Sequence, residues 1–491
     1  MLLLLLEMKK VRVGLDGGQL RILSSEDLHD MYLAILNVLE THGVKIEHEG
    51  ALKLLKEIGA NVDFKAQTAC FPEYIVEESL RKAPKRVMLC GRDKKQDFVI
   101  EGKKVYFGSV GGAIVVVDKD TGERRMSRTA DMAETAKICD ALENMDYSMG
   151  LYTPLDAPRD VQGLYEQDAV MSNTVKHSII FAYHGAEVTR KQIEAAKLMA
   201  GGEEELRKRP IVSMYDEPAS PLIVGKEYVE ALIEWVKEGL PIIYAPCPMS
   251  GATAPITLAG EVVSGMAESI AGNVIAQFTR PGTPFIFGFV PLTMDMKTTL
   301  CSYGAPEDIL LGVAQAQLAH YLELPMWGTG GCTDSKTLDA QAFVEASMNL
   351  TTAALCGQNL IHDIGLIESA KGGSQELIVI CDEIIGMLKR ILRGVRVDDE
   401  TLAVEEIKEA KHGGSFLGLK HSLKHFNSEH RVTQLMDRTF SYESWRKVDG
   451  KTLLEKAREK IAKILKEHQV EPIPKDIRVQ IEKIKKNAVK R

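Results

Sequence analysis

The chain has 491 residues, of which 45% are hydrophobic and 26% are charged, a balance typical of a globular protein. The formal net charge of -8 argues against wholesale nucleic-acid binding. No stretch is long and apolar enough to span a membrane, and the five leucines of MLLLLLEMKK are shorter than the core of a signal peptide. Eight cysteines are scattered singly without a CxxC pair, which predicts a reducing, cytoplasmic location.

The charge is unevenly distributed along the chain. Residues 451–491 contain 13 Lys and Arg against 6 Asp and Glu, so the rest of the molecule is strongly acidic. We interpret the basic end as a solvated helix face packed on an acidic body. A docking surface for an acidic partner protein is the alternative interpretation.

The sequence of residues 1–140 predicts a mixed region of helices and strands that packs on the main domain. Its clearest element is the amphipathic segment SSEDLHDMYLAILNVLETHG. Ser24 and Asp27 resemble a capping pair at its start, and Gly43 is placed to end it.

From about residue 145, short apolar runs alternate with longer helical segments. The runs include SIIFAYHG, IVSMYDEP, PIIYAPCP, PFIFGFVP and NLIHDIGL. Near-continuous apolar strands alternating with helices predict a parallel sheet that is buried on both faces. Seven such units favour a (β/α)8 TIM-type barrel over residues 141–395, followed by a helical extension over 396–491. The eighth strand lies either in ELIVICDEII or among the N-terminal strands, and the absence of a GxGxxG turn disfavours a dinucleotide-binding fold.

Active sites of such barrels lie at the carboxyl ends of the strands, where this chain concentrates aromatic residues. The predicted strand ends carry Tyr183, Tyr215, Tyr244, Trp327 and His362. Aromatic ring faces attract cations, including those that cannot donate hydrogen bonds, of which quaternary ammonium is the standard example. Because strand side chains alternate, about half of these rings are expected in the core between sheet and helices.

Other kinds of site find little support in the sequence. His421 and His425 are four residues apart, but without a further ligand pair we assign them a structural or interface role and predict no metal site. Lys336 is placed where it could form an imine with a substrate, although a lysine just beyond a strand is more often solvated or ion-paired.

Taken in order along the chain, several segments resemble the trimethylamine methyltransferase superfamily of corrinoid-dependent barrel enzymes. They are PEYIVEESLRKAP with CGRDKK, MSGATAPITLAG, GTGGCTDSKTLDAQ, TLAVEEI, GGSFLGLKHS and HQVEPIPKDI. Family members that demethylate trimethylamine carry pyrrolysine just before a (Ser/Thr)-Asp-x-Lys stretch. Here that stretch begins at Thr333 and Asp334, so the pyrrolysine position falls on Cys332, or on Gly331 if the register is shifted by one.

The resemblance therefore implies the branch of the family that lacks pyrrolysine. Its members act on quaternary amines such as glycine betaine, proline betaine and carnitine, and transfer a methyl group to Co(I) on a separate corrinoid protein. No tightly bound cofactor is then expected in this chain, and a homo-oligomer is expected.

The same resemblance, with the strand-end pattern, assigns the candidate residues. Tyr183, Tyr215, Tyr244 and Trp327 are predicted to form the cation cage, and His362 and Tyr106 to hold the other end of the substrate. Asp216, Glu217 and Glu368 are candidates for balancing the ammonium charge. Cys332, Thr333 and Asp334 shape the turn at the pyrrolysine position, and no nearby base marks Cys332 as a nucleophile.

Two alternatives stay open at this point. One is a barrel lyase or aldolase that uses Lys336 as an imine, which borohydride would trap. The other is a non-catalytic module that binds betaine or docks a corrinoid protein without transferring a methyl group.

Overall fold

A computed structural model describes residues 11–118, 122–182 and 185–489 of the chain. Its centre is a barrel of eight parallel strands, which confirms the predicted fold class. The strands are β1 (Lys104–Ser109), β2 (Tyr147–Ser148), β3 (His177–Phe181), β4 (Val212–Asp216), β5 (Ile242–Tyr244), β6 (Phe285–Phe287), β7 (Trp327–Thr329) and β8 (Leu360–Ile364).

Neighbouring strands pair in parallel from β6 through β5, β4, β3, β2, β1 and β8 to β7. A parallel bridge between Phe287 and Met326 brings β6 beside β7, and the amide of Phe287 donates to Pro325 at 2.8 Å. This last contact closes the barrel.

Each strand is followed by a helix that runs back outside the barrel. In chain order these are Thr129–Ala141, Gln162–Ser172, Gly185–Ala200 with Glu203–Lys208, Lys226–Lys237, Leu258–Thr279, Pro306–Tyr321, Ala340–Cys356 and Gln375–Leu392. The strands are buried along their length because the interior side chains fill one face and the helices cover the other. The carboxyl ends of all eight strands therefore point to one end of the barrel.

The eighth strand comes from the N-terminal region. β1 lies within residues 1–140, whereas ELIVICDEII belongs to the helix Gln375–Leu392. That helix is buried on almost every face because the barrel covers one side and the helix Leu453–Glu467 covers another. A continuously apolar run cannot by composition alone be assigned to a buried strand or a buried helix.

The remaining N-terminal elements pack against the barrel. Three helices, Ser25–Thr41, Glu49–Glu57 and Glu73–Lys82, precede β1. Ser24 and Asp27 form the predicted capping box, and Gly43 follows the helix end with φ of +72°.

Short strands outside the barrel lie both in the N-terminal region and in the connections between barrel elements. They are Leu15–Asp16, Val44–Ile46, Asn61–Asp63, Thr68–Cys70, Arg86–Leu89, Phe98–Glu101, Val115–Val117, Arg124–Met126, Ile223–Val224, Met249–Ser250, Leu292–Met294, Cys301–Ser302, Leu366–Ile367 and Gly372–Gly373.

The C-terminal extension is helical, as predicted. Its helices are Asp399–Leu402, Val404–Ala410, Lys420–Glu429, Tyr442–Val448, Leu453–Glu467 and Lys475–Ala488. Lys485 is ion-paired with Asp168 at 2.6 Å and Arg458 with Glu376 at 3.2 Å, which agrees with a basic end packed on an acidic body. Within the described ranges, no helix is long and apolar enough to cross a membrane.

Candidate active site

Four buried rings meet inside the barrel. Trp327 on β7 lies 4.1 Å from the ring centre of His362 on β8, 5.3 Å from that of Tyr215 on β4 and 6.1 Å from that of Tyr147 on β2. Each of these side chains is at most 1% exposed. Since their strands stand on different sides of the barrel, the rings fill its interior and form an aromatic cluster.

The tautomer of His362 follows from its partners. Its Nδ1 is 2.7 Å from the carbonyl oxygen of Gly328, so Nδ1 carries the proton and donates. Its Nε2 accepts from the indole N–H of Trp327 at 3.1 Å. Burial lowers the pKa of His362 to about 3, so the imidazole is neutral at physiological pH.

Asp363 joins the site because β8 is irregular at this point. The pairing of β8 with β1 shifts register between Ile361 and Ile364, and Asp363 has φ of +71°. As a result Oδ1 of Asp363 lies 3.2 Å from Nε2 of His362. Burial raises the pKa of Asp363 to about 8, a hydrogen bond from Thr329 opposes that rise and the nearby Glu217 adds to it. Asp363 is therefore mainly protonated at neutral pH, while the lone pair of Nε2 is already occupied by the indole N–H of Trp327.

Glu217 is the second carboxyl group of the site and follows β4 directly. Burial raises its pKa, while hydrogen bonds with the Tyr215 hydroxyl and the Cys247 thiol favour the charged form. Among the described residues, no lysine or arginine is ion-paired with Glu217 or Asp363. Within the described ranges, the site thus holds two carboxyl groups beside four aromatic rings, with no lysine or arginine paired with either acid.

Tyr303 and Cys332 complete the enclosure. Tyr303 is 8% exposed and follows the strand Cys301–Ser302, and burial, with smaller contributions from the acidic groups of Cys247, Asp363 and Glu217, raises the pKa of its phenol well above the usual value. Cys332 is fully buried, its Sγ is 3.5 Å from Nδ2 of Asn349, and burial raises the pKa of the thiol well above its usual value. A thiol held in that state is a poor nucleophile.

Thr333 and Asp334 fasten the rim of the barrel. Asp334 accepts hydrogen bonds from the amides of Tyr303 at 2.8 Å and Gly304 at 2.9 Å, and from the hydroxyls of Ser302 and Ser369. Thr333 donates to Glu345 at 2.6 Å. One carboxylate therefore ties together the segments that follow β6, β7 and β8.

Lys336 and Glu368 lie on the outside of this rim. Lys336 is exposed, and its Nζ donates to the carbonyl oxygen of Asp334 at 2.8 Å. Glu368 is ion-paired with Arg124. Neither group faces the aromatic cluster through a contact of its own.

Comparison with known proteins places this arrangement in a family. Residues 8–489 match the model of the family described as Trimethylamine methyltransferase (MTTB). The chain belongs to the trimethylamine methyltransferase family. It is 34% identical over 469 residues to the trimethylamine methyltransferase MttB of Desulfitobacterium hafniense, with 96% of this chain and 94% of that protein covered.

Two further relatives frame the family membership. The chain is 35% identical to MttB of Methanosarcina thermophila, covering 94% of this chain and 96% of that protein. It is 32% identical to the glycine betaine methyltransferase of Desulfitobacterium hafniense over 428 residues, covering 87% and 88%. The Methanosarcina barkeri monomethylamine methyltransferase MtmB aligns over 93% of this chain and 97% of its own, with 12% identity and a TM-score of 0.48. The family match and the sequence relatives together identify the chain as a methyltransferase of this family.

In this methyltransferase the barrel interior brings together Tyr215, Trp327, His362 and Glu217 of the predicted residues, with Cys332 enclosed nearby. It does not bring in Tyr106, whose hydroxyl donates to Val99 at 2.8 Å and whose ring lies 4.5 Å from that of Phe98. That contact fastens the N-terminal strands to β1.

Tyr244 and Asp216 face the helices instead of the barrel interior. A Cβ atom added to Gly272 would lie 2.4 Å from the Tyr244 ring, which packs directly against the helix Leu258–Thr279. Asp216 follows the inward-facing Tyr215, so strand alternation turns it outward. Burial raises its pKa well above the usual value. Tyr183 lies outside the described residues.

Four residues of the site were not among the predicted site residues: Tyr147, Cys247, Tyr303 and Asp363. Alternation assigns adjacent residues of a strand to opposite faces, so a regular strand would not turn both His362 and Asp363 inwards. Tyr303 belongs to a loop segment, where no periodic pattern marks orientation. Tyr147 and Cys247 carried a usable signal, since both lie within or just after predicted strands.

No set of three or more metal-binding side chains occurs in the part of the chain that the structure describes. His425 instead lies 3.2 Å from Glu400 of the same extension.

Proposed function

We propose that this protein transfers a methyl group from a quaternary amine, such as glycine betaine, proline betaine or carnitine, to Co(I) of a separate corrinoid protein. The observation that carries the proposal is a pair of carboxyl groups, the buried Asp363 and the partly buried Glu217, beside an aromatic cluster to which the described residues bring no ion-paired lysine or arginine. Two neighbouring acids with raised pKa values are stabilised as carboxylates when a positive charge binds beside them.

The aromatic faces specify the kind of cation. Rings attract a cation without requiring hydrogen bonds from it, and the attraction strengthens when the pair is removed from water. A trimethylammonium group presents only methyl groups to its surroundings, so Tyr215, Trp327 and Tyr147 suit it better than a shell of carbonyl oxygens does.

Two further observations support an already quaternary substrate. Cys332 stands at the position where the resemblance places pyrrolysine in enzymes for trimethylamine. One relative of similar identity is named for glycine betaine. Without pyrrolysine to capture a neutral amine, we infer that the positive charge on nitrogen belongs to the substrate.

The chemistry requires little of the protein beyond binding and orientation. The bond between methyl carbon and nitrogen breaks, its electron pair stays on nitrogen, and a neutral tertiary amine leaves without needing a proton. The corrinoid of the partner supplies the nucleophile, cobalt in the Co(I) state. The aromatic cluster would hold the ammonium so that one methyl group faces the open end of the barrel, and Tyr303 would help to exclude water.

The rim offers a surface on which a partner could dock. Ile256, Met296 and Leu300 are 59%, 71% and 63% exposed, on segments that follow β5 and β6. A Cβ atom on Gly251 would lie 2.9 Å from Ile256 and 3.8 Å from Met296, so these two side chains flank one glycine. We infer that this apolar rim patch (Ile256, Met296 and Leu300) receives the corrinoid protein.

The decisive experiment is a methyl-transfer assay with chemically reduced Co(I) cobalamin, or with a candidate corrinoid protein. The panel contains trimethylamine, glycine betaine, proline betaine, carnitine, γ-butyrobetaine and choline, and the readout is loss of the Co(I) absorption band. Transfer from a quaternary amine and not from trimethylamine supports the proposal. Transfer from trimethylamine alone contradicts it.

The two alternatives predict other results. A lysine imine would be trapped by borohydride on Lys336, but that side chain is exposed and hydrogen-bonded within its own loop. A non-catalytic module would bind a betaine in calorimetry and leave both Co(I) cobalamin and the corrinoid protein unmethylated.

We also propose a cytoplasmic protein that assembles with copies of itself. All eight cysteines are free, which supports a reducing compartment. Residues 395–448 support self-assembly because Leu417, Leu423 and Phe440 are 95%, 83% and 98% exposed. The four helices within this 395–448 segment bury none of their side chains.

A further inference from the structure

The structure assigns a second binding site, for a small anion carrying two or more phosphate groups, to a cavity at the amino-terminal end of the barrel. The cavity has a volume of about 730 Å³. Seven lysine and arginine side chains line it against two carboxylates, Asp140 and Glu143, in a chain whose net charge is -8. We call it the basic cavity; the cations used in the argument are Arg12, Lys95, Lys176, Lys389, Arg393 and Arg431.

The basic cavity lies at the opposite end of the barrel from the candidate active site. Asn144 and Lys176 line it and directly precede β2 and β3, whose amino-terminal ends are at this end. Lys389 and Arg393 lie at the end of the helix Gln375–Leu392, which runs back from the active-site end. The inference is therefore independent of the proposed function.

Part of the positive charge has a structural explanation. Lys176 donates to the carbonyl oxygens of Cys139 at 2.7 Å and Leu142 at 2.5 Å, where a helix ends and its dipole is negative. Arg12 is ion-paired with Asp146, and Lys389 lies 3.9 Å from the same carboxylate. These three groups stabilise the fold whether or not a ligand binds.

Three other cations are not explained in this way. Lys95 and Arg393 are exposed and have no ion pair within the described residues. Arg431 approaches Glu383 only to 3.9 Å, and its Nε is buried without a hydrogen-bond partner in the described part of the chain. A buried guanidinium N–H left without an acceptor costs free energy, which a ligand oxygen would recover.

The lining also indicates the class of ligand. Guanidinium groups match phosphate oxygens with two parallel hydrogen bonds, and lysines add point charges. His430 is the one aromatic side chain among the lining residues, so little is offered for stacking a nucleobase. The volume lies within the range of small-molecule sites, and the cationic lining favours a compact, highly charged anion over an apolar one.

The test measures binding of pyrophosphate to the full-length protein by isothermal titration calorimetry. We expect one pyrophosphate per chain, with affinity that falls as salt is added. Because Lys95→Gln/Arg393→Gln removes two exposed cations without disturbing the core, we expect it to weaken binding by about tenfold or more. The matched control is Lys65→Gln/Lys466→Gln, which removes two exposed lysines elsewhere and should leave the affinity within about twofold.

Three results would overturn the inference. They are no binding by the unaltered protein at about 1 mM pyrophosphate, several weak sites per chain, and an equal loss in the control variant, which would indicate adventitious attraction to surface lysines. Arg431→Gln adds a second variant at a partly buried position. A lowered melting temperature of this variant without pyrophosphate would indicate misfolding. If Arg431 contacts the ligand, a variant with a normal melting temperature should instead lose the stabilisation that pyrophosphate gives the unaltered protein.

Discussion

Asp363 is the residue whose protonation state most directly reports on the proposed cation. It is 2% exposed, lies 3.2 Å from a neutral His362 and has a pKa raised to about 8 by burial. Asp363 is a neutral acid at pH 7, and a bound cation would stabilise its carboxylate form. Cation binding and proton release are therefore linked.

We therefore expect substrate affinity to rise with pH. Below pH 8 free Asp363 is protonated, and binding of a cation that favours its carboxylate form expels the proton. The affinity of the tightest-binding quaternary amine should increase by up to about tenfold per pH unit as pH approaches 8 and level off above it. Calorimetry in buffers of different ionisation enthalpy measures the released proton directly. Asp363→Asn should bind more weakly with a flat pH profile, and an unchanged profile in that variant would assign the proton to another group.

Substitution of Cys332 tests whether the position that the family resemblance aligns with pyrrolysine has a chemical role. Its thiol is buried with a raised pKa, so we expect Cys332→Ala to retain kcat/KM within about threefold. The cost should appear in stability instead, at about 1 kcal/mol for a small cavity. Steady-state kinetics and chemical denaturation measure the two effects separately. A loss of about a thousandfold in kcat with normal stability would identify a nucleophile and contradict the interpretation.

At the scale of elements, Asp334 joins three segments of the rim. Asp334 accepts hydrogen bonds from the Tyr303 and Gly304 amides and from two serine hydroxyls, which joins the segments after β6, β7 and β8. Rim loops of barrel enzymes carry the site while the strands carry the fold. Local order at the rim can therefore change without loss of the barrel.

Asp334→Ala should free the segment that carries Tyr303. Two amides lose their acceptor, at about 1–3 kcal/mol each if they stay buried, so the segment is expected to open to water. We expect faster hydrogen exchange at residues 301–304, a higher KM and a nearly unchanged melting temperature. The control is Glu368→Gln, which removes an ion pair with Arg124 on the outside of the same rim. Equal effects of the two substitutions would show that Asp334 has no special place in the rim.

The repeated strand–helix units predicted the barrel because each unit carries the same pattern, a short apolar run followed by a longer helical segment. That pattern left the eighth strand open between ELIVICDEII and the N-terminal strands, because the helix Gln375–Leu392 is buried on almost every face and β1 lies apart from its helix. It also failed at the β8 irregularity, since a bulge breaks the alternation by which inward residues are inferred. Tyr215, Trp327 and His362 could be found because they lie at the ends of predicted strands, whereas the position of Tyr303 depends on tertiary structure.

At the scale of the whole molecule, substitutions in the apolar rim patch should impair docking of the corrinoid protein and leave the methyl-transfer chemistry intact. Met296→Asp/Leu300→Asp places two charges on exposed positions outside the aromatic cluster. We expect methyl transfer to the corrinoid protein to fall by about tenfold or more, because buried interface centres tolerate charge poorly. Transfer to free Co(I) cobalamin should stay within about twofold, since that acceptor needs no protein surface. Parallel loss with both acceptors would mean that the substitutions disturb the site itself.

The 395–448 segment supports self-assembly through its exposed apolar side chains. Its exposed leucines and phenylalanine would be unusual on a surface that stays in water. Its charges also divide into two blocks: residues 396–409 hold six acidic against two basic side chains, and residues 410–448 hold seven basic against three acidic. A two-fold pairing of identical segments would set the acidic block of one copy against the basic block of the other.

We expect the unaltered protein to sediment as an oligomer and Leu417→Asp/Leu423→Asp to sediment as a smaller species with unchanged helix content. The matched control, Val344→Asp/Met348→Asp, alters two exposed apolar side chains of the barrel helix Ala340–Cys356 and should leave the oligomer intact. A monomeric unaltered protein would instead leave this segment free for a different partner and would remove self-assembly from the proposal.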